Sequence, residues 1–435
     1  MQKRIAIVGT GYVGMACAIG FAEFGHDVVG YDILPERIRL LQSAITPYRE
    51  HGIAQILAKH LREGRTHFVD DLAVAVEGAD FIIIAVGTPS LENGKADLRA
   101  VYDVVRRLGH IDLRGATVVL RSTVPAGTSD RVADMLRGKA ELAYAPEFLR
   151  EGSAVSDFLN PDRVVVGANS RETCARYFEL FSHLKCPMLE MSLLDAEISK
   201  AASNAFLAMK ISFANQIANL CDELDADALH VLRAVGHDRR IGRMFLHPGI
   251  GFGGPCFEKD IKSLIHVMDA AETSASLFEA TLAINDAQPG RIVDVLRQEM
   301  GHDLGGLRIG VWGLTFKGGT SDLRDSLALR VVDEIVAAGA RVIAFDPSYT
   351  EVTTGLRFEL TDSALGAADA DVLVVLTDWP EFAAVDAAAL AKRLRKRLVV
   401  DGRNVLDADA LMDAGLRYRG IGRRRAASLG LAETG

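Results

Sequence analysis

Short, continuous apolar runs punctuate the first part of the chain at residues 4–8, 27–31, 80–86, 116–120 and 141–144. Each is too short for a typical helix and lacks the alternation of a half-exposed strand, so each reads as a strand buried on both faces. Helical patterns lie between them at 15–24, 98–108 and 128–136. Strands alternating with helices predict a doubly wound parallel sheet, which binds ligands beyond the carboxyl ends of its strands. From Ser192 the period becomes helical and runs to about Asp222, rich in small and apolar residues and poor in charge. A second helix is expected at 261–268. Alternation returns with strands at 308–312, 341–345, 371–376 and 398–401 and a helix at 326–338. The predicted fold class is therefore α/β: two doubly wound Rossmann-like domains joined by a helical middle, divided at 1–189, 190–301 and 302–435. The unpatterned tail that begins in Arg423, Arg424 and Arg425 reads as a mobile terminus.

Composition narrows the class. At 435 residues, 49% hydrophobic and 25% charged, the chain is an ordinary globular protein too long for one core. A formal charge of −9 argues against a general nucleic-acid binder. No apolar stretch is long enough to span a bilayer, and the strand at 4–8 leaves no room for a signal peptide. The five cysteines are scattered, without CxxC spacing, which fits a reducing cytoplasm and argues against a structural metal site.

Candidate chemistry sits at the strand ends. After the first strand comes Gly9-Thr10-Gly11-Tyr12-Val13-Gly14, a GxGxxG turn opening a helix. Its glycines allow a tight turn, backbone approach to a pyrophosphate and close helix packing. Asp32 ends the second strand, where a carboxylate accepts hydrogen bonds from an adenosine ribose and disfavours a 2′-phosphate; NAD is the predicted cofactor. Arg37 either flanks the adenosine or is a solvated helix charge. Thr88, Thr123, Glu147 and Glu151 sit at further strand ends, as ligand contacts or as loop caps. Lys200 and Asn204 share one helix face, with the lysine either snorkelling or partly desolvated. The basic loop at 236–243 suits a diphosphate as well as plain solvation. Gly251-Phe252-Gly253-Gly254-Pro255-Cys256-Phe257-Glu258-Lys259-Asp260 places a thiol in a glycine-rich loop before a helix. Such a thiol is either a reactive thiolate or a structural cysteine.

Taken together, the motifs resemble the UDP-glucose/GDP-mannose dehydrogenase family over nearly the whole chain. They are GTGYVG from Gly9, GTP from Gly87, STVPAGT from Ser122, PEFLREG from Pro146 and NPDR from Asn160. SKAASNAFLAMKISFANQIANLC from Ser199, GFGGPCFEKD from Gly251, WGLTFKGGTSDLRDS from Trp312 and DGRN from Asp401 complete the series. The resemblance implies oxidation of a nucleotide-sugar C6 alcohol to a uronic acid by two NAD, in a homodimer; charge, cysteine usage and hydropathy have already pointed to the cytoplasm and away from nucleic acid and membrane. UDP-glucose is the first candidate substrate and GDP-mannose the alternative. A two-electron hydroxyacid dehydrogenase and an inactive NAD-binding protein are the more distant readings.

The same resemblance implies residue roles. Cys256 is the nucleophile that forms a thiohemiacetal and then a thioester. Lys200 and Asn204 serve the oxyanion, Asp260 orients water, Glu147 is the base for hydrolysis, and Thr123 assists the first oxidation. Gly9, Gly11, Tyr12, Val13, Gly14, Asp32, Arg37, Thr88, Thr123, Glu151, Lys259 and Arg324 bind the cofactor. Glu147, Phe148, Leu149, Arg150, Glu151, Lys200, Asn204, Gly253, Lys317 and Arg403 bind the substrate, with Arg240 reaching it from a partner subunit. The sequence departs from the family at Pro255 and Glu258, where Ser and Pro are usual, and at Gly318-Gly319, where Pro is common. Pro255 removes an N–H beside the thiol, and Glu258 opposes thiolate formation unless Lys259 or the helix dipole outweighs it.

Overall fold

The computed structural model describes residues 2–46, 50, 52–91, 93–113, 115–349 and 357–424. The expectation for the tail falls largely outside them, since residues 425–435 are not described. The chain forms two compact units, Met1–Asn204 with Lys259–Ser274, and Ala205–Glu258 with Ala275–Gly435.

The first unit holds an eight-stranded sheet ordered β3-β2-β1-β4-β5-β6-β7-β8. Its strands are β1 (Arg4–Val8), β2 (Asp27–Tyr31), β3 (Thr66–Val69), β4 (Phe81–Ile84), β5 (Thr117–Leu120), β6 (Glu141–Tyr144), β7 (Val164–Ala168) and β8 (Met188–Met191). The first six follow the 3-2-1-4-5-6 order of a dinucleotide-binding sheet, whose strand order reverses between β1 and β4. The period of two divides β1 between both faces. Ile5 and Ile7 pack with Cys17, Phe21, Phe158 and Tyr177, while Ala6 and Val8 pack with Val29, Ile82 and Ile84. This double burial is why the strand runs read as continuously apolar.

All pairings in this sheet are parallel except β6 with β7, a departure from the purely parallel sheet expected. Because β7 runs back against β6, the loop 145–163 begins and ends at the same edge, the carboxyl edge. The PEFLREG motif thus stays on the ligand-binding side of the sheet. The strands β3 and β8 escape the sequence pattern because alternating exposure (Thr66 and Phe68 inward, His67 outward) or an outer position breaks their apolar runs, whereas β7 is a continuous buried run that the pattern reading passed over.

The second unit holds a six-stranded sheet ordered β11-β10-β9-β12-β13-β14, parallel throughout. It is built from β9 (Arg308–Trp312), β10 (Arg341–Phe345), β11 (Glu359–Leu360), β12 (Val372–Val375), β13 (Leu398–Asp401) and β14 (Arg417–Gly420). The 3-2-1-4-5-6 order recurs. So does the first turn: the Gly9 N–H donates to the Tyr31 carbonyl, and the Gly313 N–H to the Phe345 carbonyl, both at 2.8 Å. Asp346 ends β10 as Asp32 ends β2, and accepts from the Thr315 amide and hydroxyl at 3.1 Å each. There the likeness stops, because the Trp379 indole N–H also reaches Asp346 at 3.2 Å and is buried over it.

The long central helix spans Leu193–Leu224. The helix after the cysteine loop spans Phe257–Ala270, so it starts four residues earlier than the 261–268 pattern indicates. Glu258, Lys259 and Asp260 therefore belong to its first turn, where polar residues obscure the apolar period. Among the described residues no helix is long and apolar enough to cross a membrane.

Candidate active site

The carboxyl edge of the first sheet starts at the GxGxxG turn. Gly9 has φ +95°, and a Cβ there would lie 2.8 Å from the Ala85 carbonyl oxygen. A Cβ on Gly14 would lie 1.8 Å from the Gly9 oxygen, so neither position accepts a side chain. Gly11 differs: nothing lies within 4 Å of where its Cβ would be, and it caps the helix Tyr12–Glu23 with no side-chain hydrogen bond. Open space before uncapped helix amides is the cradle a pyrophosphate requires, so the residues present fit NAD. Val13 packs partly buried against the core beneath.

Asp32 is buried and accepts from the Thr10 amide and hydroxyl (2.9 Å each), the Leu34 amide (3.1 Å) and the Arg37 guanidinium (2.9 Å). Burial pushes its carboxyl up, but the hydrogen bonds from Leu34, Thr10 and Arg37 outweigh it and hold the group below the ordinary carboxylate range. Arg37 thus pairs with Asp32. Thr88 donates to the Thr123 carbonyl at 2.7 Å, tying two strand-end loops together.

Tyr12 donates to the Glu50 carboxylate, and the Gly152 N–H reaches both the phenol (2.7 Å) and Glu50 (2.8 Å). Burial, reinforced by Glu50, pushes the Tyr12 phenol well above its ordinary range. These bonds join the helix start to the PEFLREG loop. Within that loop Arg150 forks onto Asp157 (3.0 and 2.6 Å), and Glu151 is half-buried.

Glu147 is the electrostatic centre of this unit. One oxygen accepts from Lys200 Nζ at 3.1 Å and the other from the Leu149 N–H at 2.6 Å. Burial raises its carboxyl, but Lys200, the Leu149 amide and the buried guanidinium of Arg121 together hold it below the ordinary range. Lys200 is only 3% exposed, which decides between snorkelling and desolvation in favour of the latter. Its ammonium also lies 5.3 Å from the Phe148 ring centroid, and the Arg163 guanidinium lies over the same ring at 3.9 Å. Four residues along the central helix, Asn204 Nδ2 donates to Asp260 at 2.6 Å, and Lys259 Nζ reaches the other Asp260 oxygen at 2.5 Å. A cavity is lined by Thr123, Val124, Glu197, Lys259, Asp260 and Ser263. One unit thus gathers carboxyl groups, cations and amide donors at the sheet edge, which is equipment for moving protons and holding a developing oxyanion.

The second unit builds the cysteine loop. Asn285 clamps Phe252 from both sides, accepting its N–H at 2.7 Å and donating to its carbonyl at 3.0 Å. Asn215 accepts the Gly249 N–H at 2.8 Å. Arg403 is fully engaged beneath, donating to the carbonyls of Gly251 (3.1 Å), Leu376 (2.9 Å) and Phe316 (3.2 Å). Burial lowers its guanidinium pKa, and Asp378 and Asp401 oppose that shift. Gly254 has φ +83° and no room for a Cβ, which would meet the Phe316 ring at 2.8 Å; a Cβ on Gly253 would lie 2.5 Å from the Asp325 carbonyl. The backbone is therefore fixed, while Cys256 itself is exposed at the start of its helix. Lys317 sits 5.7 Å from the Phe316 ring centroid. Arg240 and Arg324 are exposed and fork onto Asp238 and Asp322, each two residues away.

Sequence patterns did not single out Glu50, Arg121, Glu197, Asn215 or Asn285. Asn215 and Asn285 share their buried helix faces with other polar residues (Ser212, Thr281 and Gln288), so the apolar period did not mark them out. No signal existed for Glu50, whose partners lie far away in the chain.

Three family models match in order: the NAD binding domain of the UDP-glucose/GDP-mannose dehydrogenase family over residues 3–185, its central domain over 194–287 and its UDP binding domain over 310–408. A UDP-glucose 6-dehydrogenase of Rhizobium meliloti is 40% identical over 97% of this chain and 99% of its own. The UDP-glucose 6-dehydrogenase TuaD of Bacillus subtilis is 39% identical over 97% and 94%. The solved structure of a UDP-glucose dehydrogenase from Pyrobaculum islandicum superposes with a TM-score of 0.89 at 35% identity, covering 97% of this chain and 98% of that one. With all three domains matched in order along nearly the full length, the chain belongs to the UDP-glucose/GDP-mannose dehydrogenase family.

Proposed function

We propose that this protein oxidises the C6 alcohol of UDP-glucose to the carboxylate of UDP-glucuronate. The observation that carries the reading is the buried network of Glu147, Lys200, Asn204 and Asp260 at the carboxyl edge of an NAD-binding sheet. NAD, when bound, accepts one hydride in each of two oxidations. Everything else falls to the chain. Thr123 holds a bound water against the C6 hydroxyl, and that water accepts the hydroxyl proton as the first hydride leaves the carbon. The Cys256 thiolate adds to the resulting aldehyde carbon, forming a C–S bond and an oxyanion, and the Lys200 ammonium and Asn204 amide hold that charge. Loss of the second hydride from the same carbon leaves a thioester. Asp260 orients a water and Glu147, ionised because its pKa is held low, accepts the water's proton as the C–S bond breaks. One water is consumed and the thiolate is regenerated.

Residues 1–189 are assigned to NAD, 190–301 to the helical middle and 302–435 to the nucleotide-sugar. Exposed Phe206, Phe213, Leu220 and Leu224 on the central helix support a homodimer, since such a row is costly to leave in water. In that assembly Arg240 serves the neighbouring site. The cytoplasm is the compartment that keeps the Cys256 thiol reduced. The test is a panel of UDP- and GDP-sugars with NAD, counting NADH and weighing the product. Two NADH for each UDP-glucuronate formed is expected; one NADH per sugar, or preference for GDP-mannose, overturns the reading.

A further inference from the structure

On the central helix, Glu197 stands three residues before Lys200 and seven before Asn204, on the same helix face. It is 1% exposed and forms no ion pair among the described residues. Its two oxygens accept instead from two backbone amides, Gly127 N–H and Ser129 N–H, both at 2.6 Å. Those amides open the helix Thr128–Leu136, whose cap residue Gly127 has φ +86° and offers no side-chain hydrogen bond. A buried carboxylate from another element thus does the capping, and the helix dipole favours its charge. Burial holds the Glu197 carboxyl above the ordinary carboxylate range, with the Ser129 and Gly127 bonds opposing that shift only in part.

The consequence reaches the loop just upstream. Residues 122–127 are pinned at one end by Ser122 Oγ donating to the Val86 carbonyl (2.7 Å) and by Thr88 Oγ1 donating to the Thr123 carbonyl (2.7 Å). At the other end they are pinned by Glu197. Thr123, Glu197 and Asp260 line the same cavity. We infer that Glu197 is a positioning residue that locks the Thr123 loop in register with the helix carrying Lys200 and Asn204, so that the group assisting proton departure and the groups holding the oxyanion address one carbon. Fixing three groups on two elements to one geometry is the kind of constraint that a small displacement undoes. The inference rests on the proposed reaction for the role of Thr123.

The test uses Glu197→Gln, whose amide keeps the shape but turns an NH2 toward one of the two N–H donors. Hydrogen exchange at Gly127 and Ser129 in the NAD-bound protein should quicken at least tenfold. The first hydride transfer, followed as the initial NADH burst, should slow by about 100-fold, while KM for NAD changes less than twofold. Combining Glu197→Gln with Thr123→Ala should cost little more than either alone, because both remove the same alignment. Unchanged exchange, an unchanged burst in folded protein, or fully additive losses overturn the inference. Should Glu197→Gln not fold, Glu197→Asp is measured in the same way; folding of neither would make Glu197 a folding residue and also count against it. A wild-type protein that yields no NADH from UDP-glucose sinks the proposed function instead, and the exchange result still reports on the clamp.

Discussion

At the scale of single residues, the decisive fact is that Lys200 and Glu147 share a nearly dry environment. A buried pair is weak evidence for stability, but removing one partner strands the other, at a cost of about 3–5 kcal/mol. Glu147→Gln should therefore destabilise the protein by roughly that amount at neutral pH. The pH dependence follows from the direction of the shift. The Glu147 carboxyl is held below its ordinary value in the folded protein, so the unfolded chain binds its proton more readily. Its stabilisation is complete above the unfolded carboxylate pKa, near 4.3, and is lost as pH falls through the lower folded value. Urea unfolding of wild type and Glu147→Gln should show a gap that widens as pH rises through this window and is flat above about pH 5. A gap independent of pH would mean that Glu147 is not held ionised by its neighbours.

At the scale of elements, the strands and the glycine turn were legible because each rests on local constraints. Continuous apolar runs mark strands buried on both faces, and the fingerprint turn has no room for a Cβ at Gly9 or Gly14. What escaped were partnerships set by the tertiary fold. Glu50 meets Tyr12 and Gly152, 38 and 102 residues away, and no spacing rule joins them. The start of the cysteine helix was hidden because Glu258, Lys259 and Asp260 interrupt the apolar period. The side of the Lys200 question was undecidable from the sequence, since a snorkelling and a desolvated lysine occupy the same kind of helix face. Asn285 shows how such missed residues govern a visible motif. It satisfies both backbone groups of Phe252 inside the protein, and each left unpaired costs about 1–3 kcal/mol. Asn285→Leu should loosen the loop four residues before the thiol. Alkylation of Cys256 by a small reagent is expected to change severalfold while NAD binding holds; an unchanged alkylation rate would show that the clamp does not reach the thiol.

At the scale of the whole molecule, one strand order is used twice with different chemistry at the first turn. Asp32 lies beside open helix amides and accepts from Thr10, Leu34 and Arg37, whereas Asp346 is covered by Trp379. The row of exposed apolar residues on the central helix predicts that light scattering at assay concentration gives twice the chain mass. A fully active monomer would refute the homodimer. The claim on which the whole account turns is that the aldehyde is held covalently by Cys256. Its most direct test is the rate of UDP-glucuronate formation by Cys256→Ala, in protein shown by NAD titration to bind cofactor as wild type does. No measurable acid is expected, because the second hydride loss and the hydrolysis both need the C–S bond. Acid formed at near the wild-type rate would contradict it.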